Sequence, residues 1–477
     1  NLLMTDHYTS LLASRYASAE MSAIFSPHFR YATWRQLWIA LAKAQKQLGL
    51  AISQEQIKEM QETYNLIDFA KAAAYEKKFG HDVMAHIHTF ADQCPKAGPI
   101  IHLGATSCFV TDNADLILIR NALQLLEKKL IQVIRQLCIF AEKHANLVCL
   151  SYTHFQPAQP TTVGKRACLW LQDLKFDLEQ CSSVIKELRF LGAKGATGTQ
   201  ASFLNLLGSR EKVQALDQLV AKELGFHHLL LISSQTYLRK QDISILAFLT
   251  QVAASAHKFA TDLRLLAHLK EIEEPFSSTQ VGSSAMPYKR NPMRSERLCG
   301  LSRFLFSLNE TPLYTAATQW LERSLDDSAN RRLCIPEAFL CADAILDLLC
   351  FITSSLVVYP KMIEKHLAEE IPFLVTEHIL MQLAKQGKDR QKMHERLREL
   401  SLLASREIKE EGKTCDLLYK IAHDPEMGLS LDELKKMATE KHLVGCAREQ
   451  TQEFLNEVKL ILAKYQNLST YSAKMEI

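Results

Sequence analysis

Five segments of this chain keep apolar residues at three- and four-residue steps over spans that few globular helices reach. They run from Asp112 to about His144, Thr161 to about Phe190, Ser233 to about Glu271, Met293 to Leu308, and Asp326 to about Val358. The mean globular helix is only about 11–12 residues, so several of these are far longer. Segments of this kind are stable only when laid against one another, which predicts an elongated all-α bundle. Their apolar faces are broad, so each helix needs more than one neighbour. That predicts a bundle continued across subunits in a symmetric oligomer. Gly (16) and Pro (13) are sparse in 477 residues, which also argues against a turn-rich β fold.

The flanks read differently. From Tyr8 to about Ser107 short helices alternate with loops: Thr33–Leu48 is amphipathic, Ser53 with Gln56 forms a capping box, and Gly80–His88 opens a further helix. Beyond Met362 the elements shorten again, with breaks at Pro372, Gly412 and Asp424-Pro425 and a last helix from about Gln450 to Tyr465. The expected division is an N-terminal helical domain (1–107), a central bundle (108–361) and a small helical C-terminal domain (362–477).

Net charge is +3, so no strong field invites nucleic acid or an anionic membrane. Twelve Cys are scattered through apolar runs without a C-x-x-C pair, which reads as reduced thiols in a cytoplasmic protein. Ala344–Val358 is apolar but too short, and too interrupted by Asp347, to span a bilayer. No signal peptide is read, and the three residues before Met4 are set aside from the fold.

The chemistry concentrates in loops. Val281–Glu296 combines a glycine hinge (Gly282), two hydroxyls (Ser283, Ser284), two prolines (Pro287, Pro292) and a cation with an amide two apart (Lys289, Asn291). Such a set suits a carboxylate gaining charge in a transition state, and a helix is expected after Pro292. The run Gly-Ser-Ser-x-Met-Pro-x-Lys-x-Asn-Pro resembles the signature of the fumarase/aspartase superfamily. Its continuation Met-Arg-Ser-Glu is similar to that of the adenylosuccinate lyase family within it.

This resemblance covers roughly Tyr8 to Tyr465 and implies a helical three-domain homotetramer, with each active site built from three subunits. It implies β-elimination of fumarate from adenylosuccinate, giving AMP, and from the succinylaminoimidazole-carboxamide ribotide, with no metal or organic cofactor. Ser283 is then the candidate base, with Ser284 as alternate, Lys289 and the following helix N-terminus lowering its pKa. Thr-His-Phe-Gln-Pro-Ala-Gln at 153–159 looks like the family segment that supplies the general acid, which assigns His154 to the leaving nitrogen.

Further positions follow from the same resemblance. In His-Asp-Val-Met-Ala-His, His81 and Asp82 lie near the substrate and His102 places its phosphate or polar edge; Gly80 departs from the family, where a basic residue often stands. Arg15, Tyr16, Arg297, Arg323, Ser328 and Arg332 match positions that hold the nucleotide, a task suited to the guanidinium fork. Thr106, Ser107 and Gln235 match positions that bind the succinyl carboxylates, and Glu296 either orients a His or Lys or faces solvent. His81, His86 and His88 lack the ligand spacing of a metal site, and Gly192–Gln200 lacks the strand and the G-K-[ST] of a nucleotide loop; a tight turn lining the pocket fits it better. Two alternatives stand: another fumarate-releasing lyase of the superfamily, such as argininosuccinate lyase or fumarase, or a non-catalytic relative using the bundle as a scaffold.

Overall fold

The computed structural model describes residues 6–439, 443–468 and 470–473. Its centre is the expected bundle: helices Ser107–Lys143, Val163–Glu187, Lys240–His268, Met293–Leu308 and Asp327–Ser354. The first has 37 residues, about 55 Å at 1.5 Å per residue. It packs along 163–187 and 327–354, while 240–268 packs on 293–308 and 327–354. The 327–354 helix is the innermost, buried without interruption from Ala338 to Cys350. Lys240–His268 is long and apolar enough to cross a membrane by length and composition, yet half of its most apolar window is buried within the protein.

The core is continuous from Leu12 to Val458, so the N-terminal helices share it. Pro27–Gln47 begins six residues before the expected start, because Ser26 caps it and Pro27 fills its first position. The capping box of Ser53 and Gln56 is formed. Gly80 ends the helix Phe69–Phe79 in the left-handed region (φ 64°), its N–H donating to Glu76 O. This gives a backbone reason for glycine at that position. A second core gathers Val375 to Leu443, whereas the last helix, Ala447–Ala463, returns to pack on 107–143 and 163–187. The break expected at Pro372 is displaced: Pro360–Leu374 runs through it, and the next helix starts at Thr376.

The loop expected between helices at Ser151–Pro160 is instead an antiparallel hairpin, Val148–Thr153 paired with Gln156–Thr162. Pro157 and Pro160 lie in its second strand, where a two-stranded ribbon tolerates them because both strands are edges. All twelve cysteines are free thiols and ten are buried. Burial pushes Cys149 up to about 11, which keeps it protonated.

Candidate active site

Four helix N-termini meet at one end of the bundle. They belong to Asp82–Gln93, Ser107–Lys143, Lys240–His268 and Asp327–Ser354. Each carries about half a positive charge on unsatisfied N–H groups. Left alone, such ends repel; here buried ion pairs within the first three turns hold the last three together, and the exposed Arg332–Asp82 pair ties in the first. Arg239 donates to Asp112 (2.9 Å) and Asp327 (2.8 Å). Arg331 donates to Asp242 (2.8 Å) and Asp115 (3.1 Å). Arg323 donates to Asp327 (2.7 Å), and Arg30 to Asp115 (2.8 Å). Burial alone would raise the Asp115 carboxyl, but Arg331 and Arg30 hold it below the usual range. Arg239, Arg331 and their four carboxylate partners were not singled out by motif. Their only trace in the sequence is acidic and basic residues inside otherwise apolar helix starts.

On this platform stand eight of the expected residues, Arg323 among them, with His102 beside them. His81 caps its helix, its Nδ1 accepting from Met84 N (3.2 Å). The ring proton of the neutral form is thereby left on Nε2, 3.4 Å from Ser107 Oγ. Asp82 pairs with exposed Arg332 (3.1 Å), so of the adjacent arginines 331 and 332 one faces the core and one faces the site. Gln235 binds Ala196 O through Nε2 (2.9 Å) and Glu322 O through its backbone N–H (3.2 Å). Thr106 holds the cap position of the 107–143 helix with its side chain making no capping bond. Ser328 lies one residue past Asp327, in the first turn of its helix.

His102 sits in the left-handed region (φ 64°). Trp38 Nε1–H donates to its Nδ1 (2.8 Å), fixing a neutral Nε2–H form. Burial, with His81 adding to it, pushes this imidazole down to about 4, so it donates without being charged. The other two histidines turn away. His86 stacks on Tyr31 at 3.7 Å between ring centroids, and His88 lies against Tyr75 and Phe79. Among the described residues no group of three or more His, Cys, Asp or Glu is placed to hold a metal ion.

The glycine-rich segment borders this cluster as a fixed turn. Gly192, Gly195 and Gly198 all have positive φ, and a Cβ on Gly198 would stand 2.0 Å from Ser233 O. Lys194 is buried in an ion pair with Asp217 of the helix Arg210–Glu223, which ties the turn to that helix.

Arg15, Tyr16 and Arg297 form a separate group. Leu12–Tyr16 is a π-helical turn, and the Arg297 guanidinium lies 5.4 Å from the Tyr16 ring centre. All three line a cavity of about 730 Å³. His154 lies elsewhere again, exposed at the hairpin tip. Thr153 pairs with Gln156, leaving His154 (φ 54°) and Phe155 (φ 55°) as a two-residue turn. Positive φ at both positions is the geometry that usually selects Asn-Gly. Holding two larger residues there costs roughly 1 kcal/mol each.

The Val281–Pro292 loop differs from expectation in three ways. Gly282 is required by close approach: a Cβ would stand 2.1 Å from Lys289 O. Asn291 does not project beside Lys289; its Nδ2 donates to Gly282 O (2.7 Å) and closes the loop. The helix N-terminus offered to Ser283 is already occupied. Buried Glu274 accepts from Arg294 N (3.1 Å), Ser295 N (2.9 Å) and Ser295 Oγ (2.7 Å). Ser283 Oγ instead accepts from Ala285 N (3.3 Å) and Met286 N (3.1 Å). Two amide donors on one hydroxyl oxygen favour its ionised form. Ser284, Lys289 and Glu296 are exposed.

The chain matches a family model described as Lyase over residues 15–305 and one described as Adenylosuccinate lyase C-terminus over 372–454. It is 51% identical to the adenylosuccinate lyase of Saccharomyces cerevisiae, covering 95% of both chains. It is 49% identical to that of Schizosaccharomyces pombe (97% of both) and 48% to that of Schistosoma mansoni (99% of both). Among solved structures it resembles the 3-carboxy-cis,cis-muconate lactonizing enzyme of Pseudomonas putida, with a TM-score of 0.83 at 24% identity, covering 95% of this chain and 99% of that one. It also resembles a fumarate lyase from Mesorhizobium, with a TM-score of 0.78 at 22% identity, covering 94% and 99%. A helical bundle with clustered helix ends, a Gly-Ser-Ser loop and near-full-length identity of about one half lead to one assignment: the chain belongs to the adenylosuccinate lyase family of the fumarase/aspartase superfamily.

Proposed function

We propose that the chain eliminates fumarate from adenylosuccinate to give AMP, and from the succinylaminoimidazole-carboxamide ribotide in the same site. The observation that carries the reading is the meeting of four positive helix ends around Ser107, Asp82, Gln235, Arg323 and Arg332. A substrate with two carboxylates and a phosphate is the kind of polyanion such a platform attracts. Arg15, Tyr16 and Arg297 form the second anion-binding group.

The reluctant step is removal of a proton from carbon beside a carboxylate. Ser283, its oxygen held by two loop amides, is assigned as base. Lys289 and the loop N–H groups stabilise the doubly charged carboxylate that results. Asn291 contributes indirectly, by closing the loop through Gly282 O. His154 protonates the leaving nitrogen. His81 and His102 present Nε2–H donors to the substrate.

Within one chain these groups are spread over the helix ends, the hairpin tip and the loop. Assembly is the arrangement that joins them, and a homotetramer with sites shared between subunits is proposed. Ile139, Leu169, Phe176, Leu265, Phe304 and Leu333 are exposed apolar side chains on the bundle helices and support it. Incubation with adenylosuccinate, argininosuccinate and malate separately, following fumarate, tests the reading. Release from adenylosuccinate alone is expected. Release only from one of the others replaces the substrate, and silence with all three leaves a scaffold.

A further inference from the structure

Beneath the Arg15–Tyr16 turn lies a charged node that the elimination chemistry does not use. Lys129, fully buried in the middle of the 107–143 helix, contacts Asp343 and Asp347 of the 327–354 helix. An ammonium in such a place is expected to be paired, and its two carboxylates supply that. The node has two outward connections. On one side Asp343 Oδ2 accepts from Ser18 N (2.7 Å), and Lys129 Nζ lies 3.3 Å from Ser18 Oγ. Ser18 is two residues beyond Tyr16, so this bond fixes the exit of the π-helical turn that carries Arg15 and Tyr16. On the other side Tyr471, in the segment after the last helix, donates its hydroxyl to Asp347 Oδ1 (2.6 Å). Its ring lies over the Lys129 ammonium at 4.7 Å, a cation–π contact of the kind that strengthens with burial.

Tyr471 and Asp347 line the same cavity as Arg15, Tyr16, Ser18 and Arg297. The lining of that cavity is therefore made partly by a segment some 170 residues removed from Arg297, tied through one lysine and its two carboxylates to Ser18 at the exit of the Arg15–Tyr16 turn. We infer that Tyr471 is a positioning residue for the phosphate end of the substrate, acting through Asp347, Lys129 and Asp343 on the Arg15–Tyr16 turn. The inference rests on the lyase reading for the identity of the ligand. Its chemistry is specific: it concerns a phosphate monoester held by Arg15 and Arg297, and leaves the proton transfers at the succinyl end untouched.

The test is Tyr471→Phe in the full chain, which keeps the ring on Lys129 and removes only the hydroxyl, with Tyr471→Ala as the larger perturbation. One hydrogen bond to a charged group is lost and only the part of it that reaches the Arg15–Tyr16 turn weakens binding, so KM for adenylosuccinate should rise about three- to tenfold in Tyr471→Phe. In that variant kcat stays within about twofold, because the bond is remote from the reacting atoms. Tyr471→Ala raises KM further. The succinyl-adenosine nucleoside, which lacks the phosphate, should show the same kcat/KM with wild type and Tyr471→Phe. AMP binding by calorimetry should weaken in parallel with KM, and it reads the pocket even without turnover. An unchanged AMP affinity, or an equal loss for nucleotide and nucleoside, overturns the inference. Wild-type silence on adenylosuccinate with AMP binding weakened in Tyr471→Phe would sink the lyase reading alone.

Discussion

Gly282→Ala isolates what the signature loop contributes. The new Cβ would stand 2.1 Å from Lys289 O, 3.1 Å from Lys289 C and 3.2 Å from the Phe276 ring. The nearest atom is backbone and cannot rotate aside, so the loop must shift. Overpacking of this kind costs about 1–3 kcal/mol. Opposing it are the Asn291–Gly282 bond, the Lys289–Met286 bond and the two amides on Ser283. At a net value of about 1 kcal/mol each, these total roughly 4 kcal/mol, so the clash removes a large part of that stabilisation. The closed loop stays the majority form, but relieving the clash shifts the Gly282–Lys289 approach by about an ångström, and a reacting group misplaced by that much costs on the order of a hundredfold, so a fall in turnover of about ten- to a hundredfold is expected. In a chain of 477 residues about 1 kcal/mol moves the melting temperature by only about one degree, so it should hold within about three degrees. Gly300→Ala is the control: it is helical, its Cβ would meet nothing closer than Arg303 at 3.9 Å, and it should keep full activity. Fumarate release and thermal melting measure both variants. A folded Gly282→Ala enzyme with wild-type turnover would refute the argument that this close approach shapes the loop, and a large drop in melting temperature would show that its effect is not local.

Three other outcomes are expected. His154→Asn keeps a residue that tolerates φ 54° but removes the proton donor; turnover should fall about 10²–10⁴-fold with the melting temperature unchanged, and retention of turnover would dismiss His154. Asp327→Asn loosens Arg323 and removes a buried charge facing Arg239; KM should rise about tenfold with stability lost by roughly 3 kcal/mol, and unchanged KM in steady-state assays would separate this pair from the substrate. Burial pushes Asp177 up to about 7; because its folded pKa lies above its unfolded one, the stability it allows is full in acid and declines as pH rises from about 4 to 7. Asp177→Asn should therefore raise the melting temperature at pH 8 and change it little at pH 4, and an equal shift at both would contradict the burial argument.

The long helices were legible because their apolar spacing persists for many turns; all five are present, although the helix expected from Ser233 starts only at Lys240 and the one expected from Asp112 already at Ser107. The hairpin was not legible. Its turn is His154-Phe155, where the usual signal is Asn-Gly, and two prolines in its second strand read as loop. Candidate site residues can be named by resemblance, but the partners that hold them cannot. Glu274 satisfies a helix twenty residues later, and Arg239 reaches Asp112 across 127 positions. No local pattern records such pairs. Gly282 shows the same limit: its sequence neighbours suggest freedom, while its spatial neighbour is the carbonyl of residue 289.

The convergence of helix starts has a wider consequence. A main-chain dipole has no proton to lose in the physiological range, and no single side-chain replacement abolishes it. The pull on negatively charged guests is thus inherited with the backbone itself. On the proposed reading, mutation at Arg332 or Gln235 would retune which acid is chosen while leaving the attraction for acids in place. A scaffold wired in this way can exchange one polycarboxylate for another over evolutionary time without first reinventing the means to capture it.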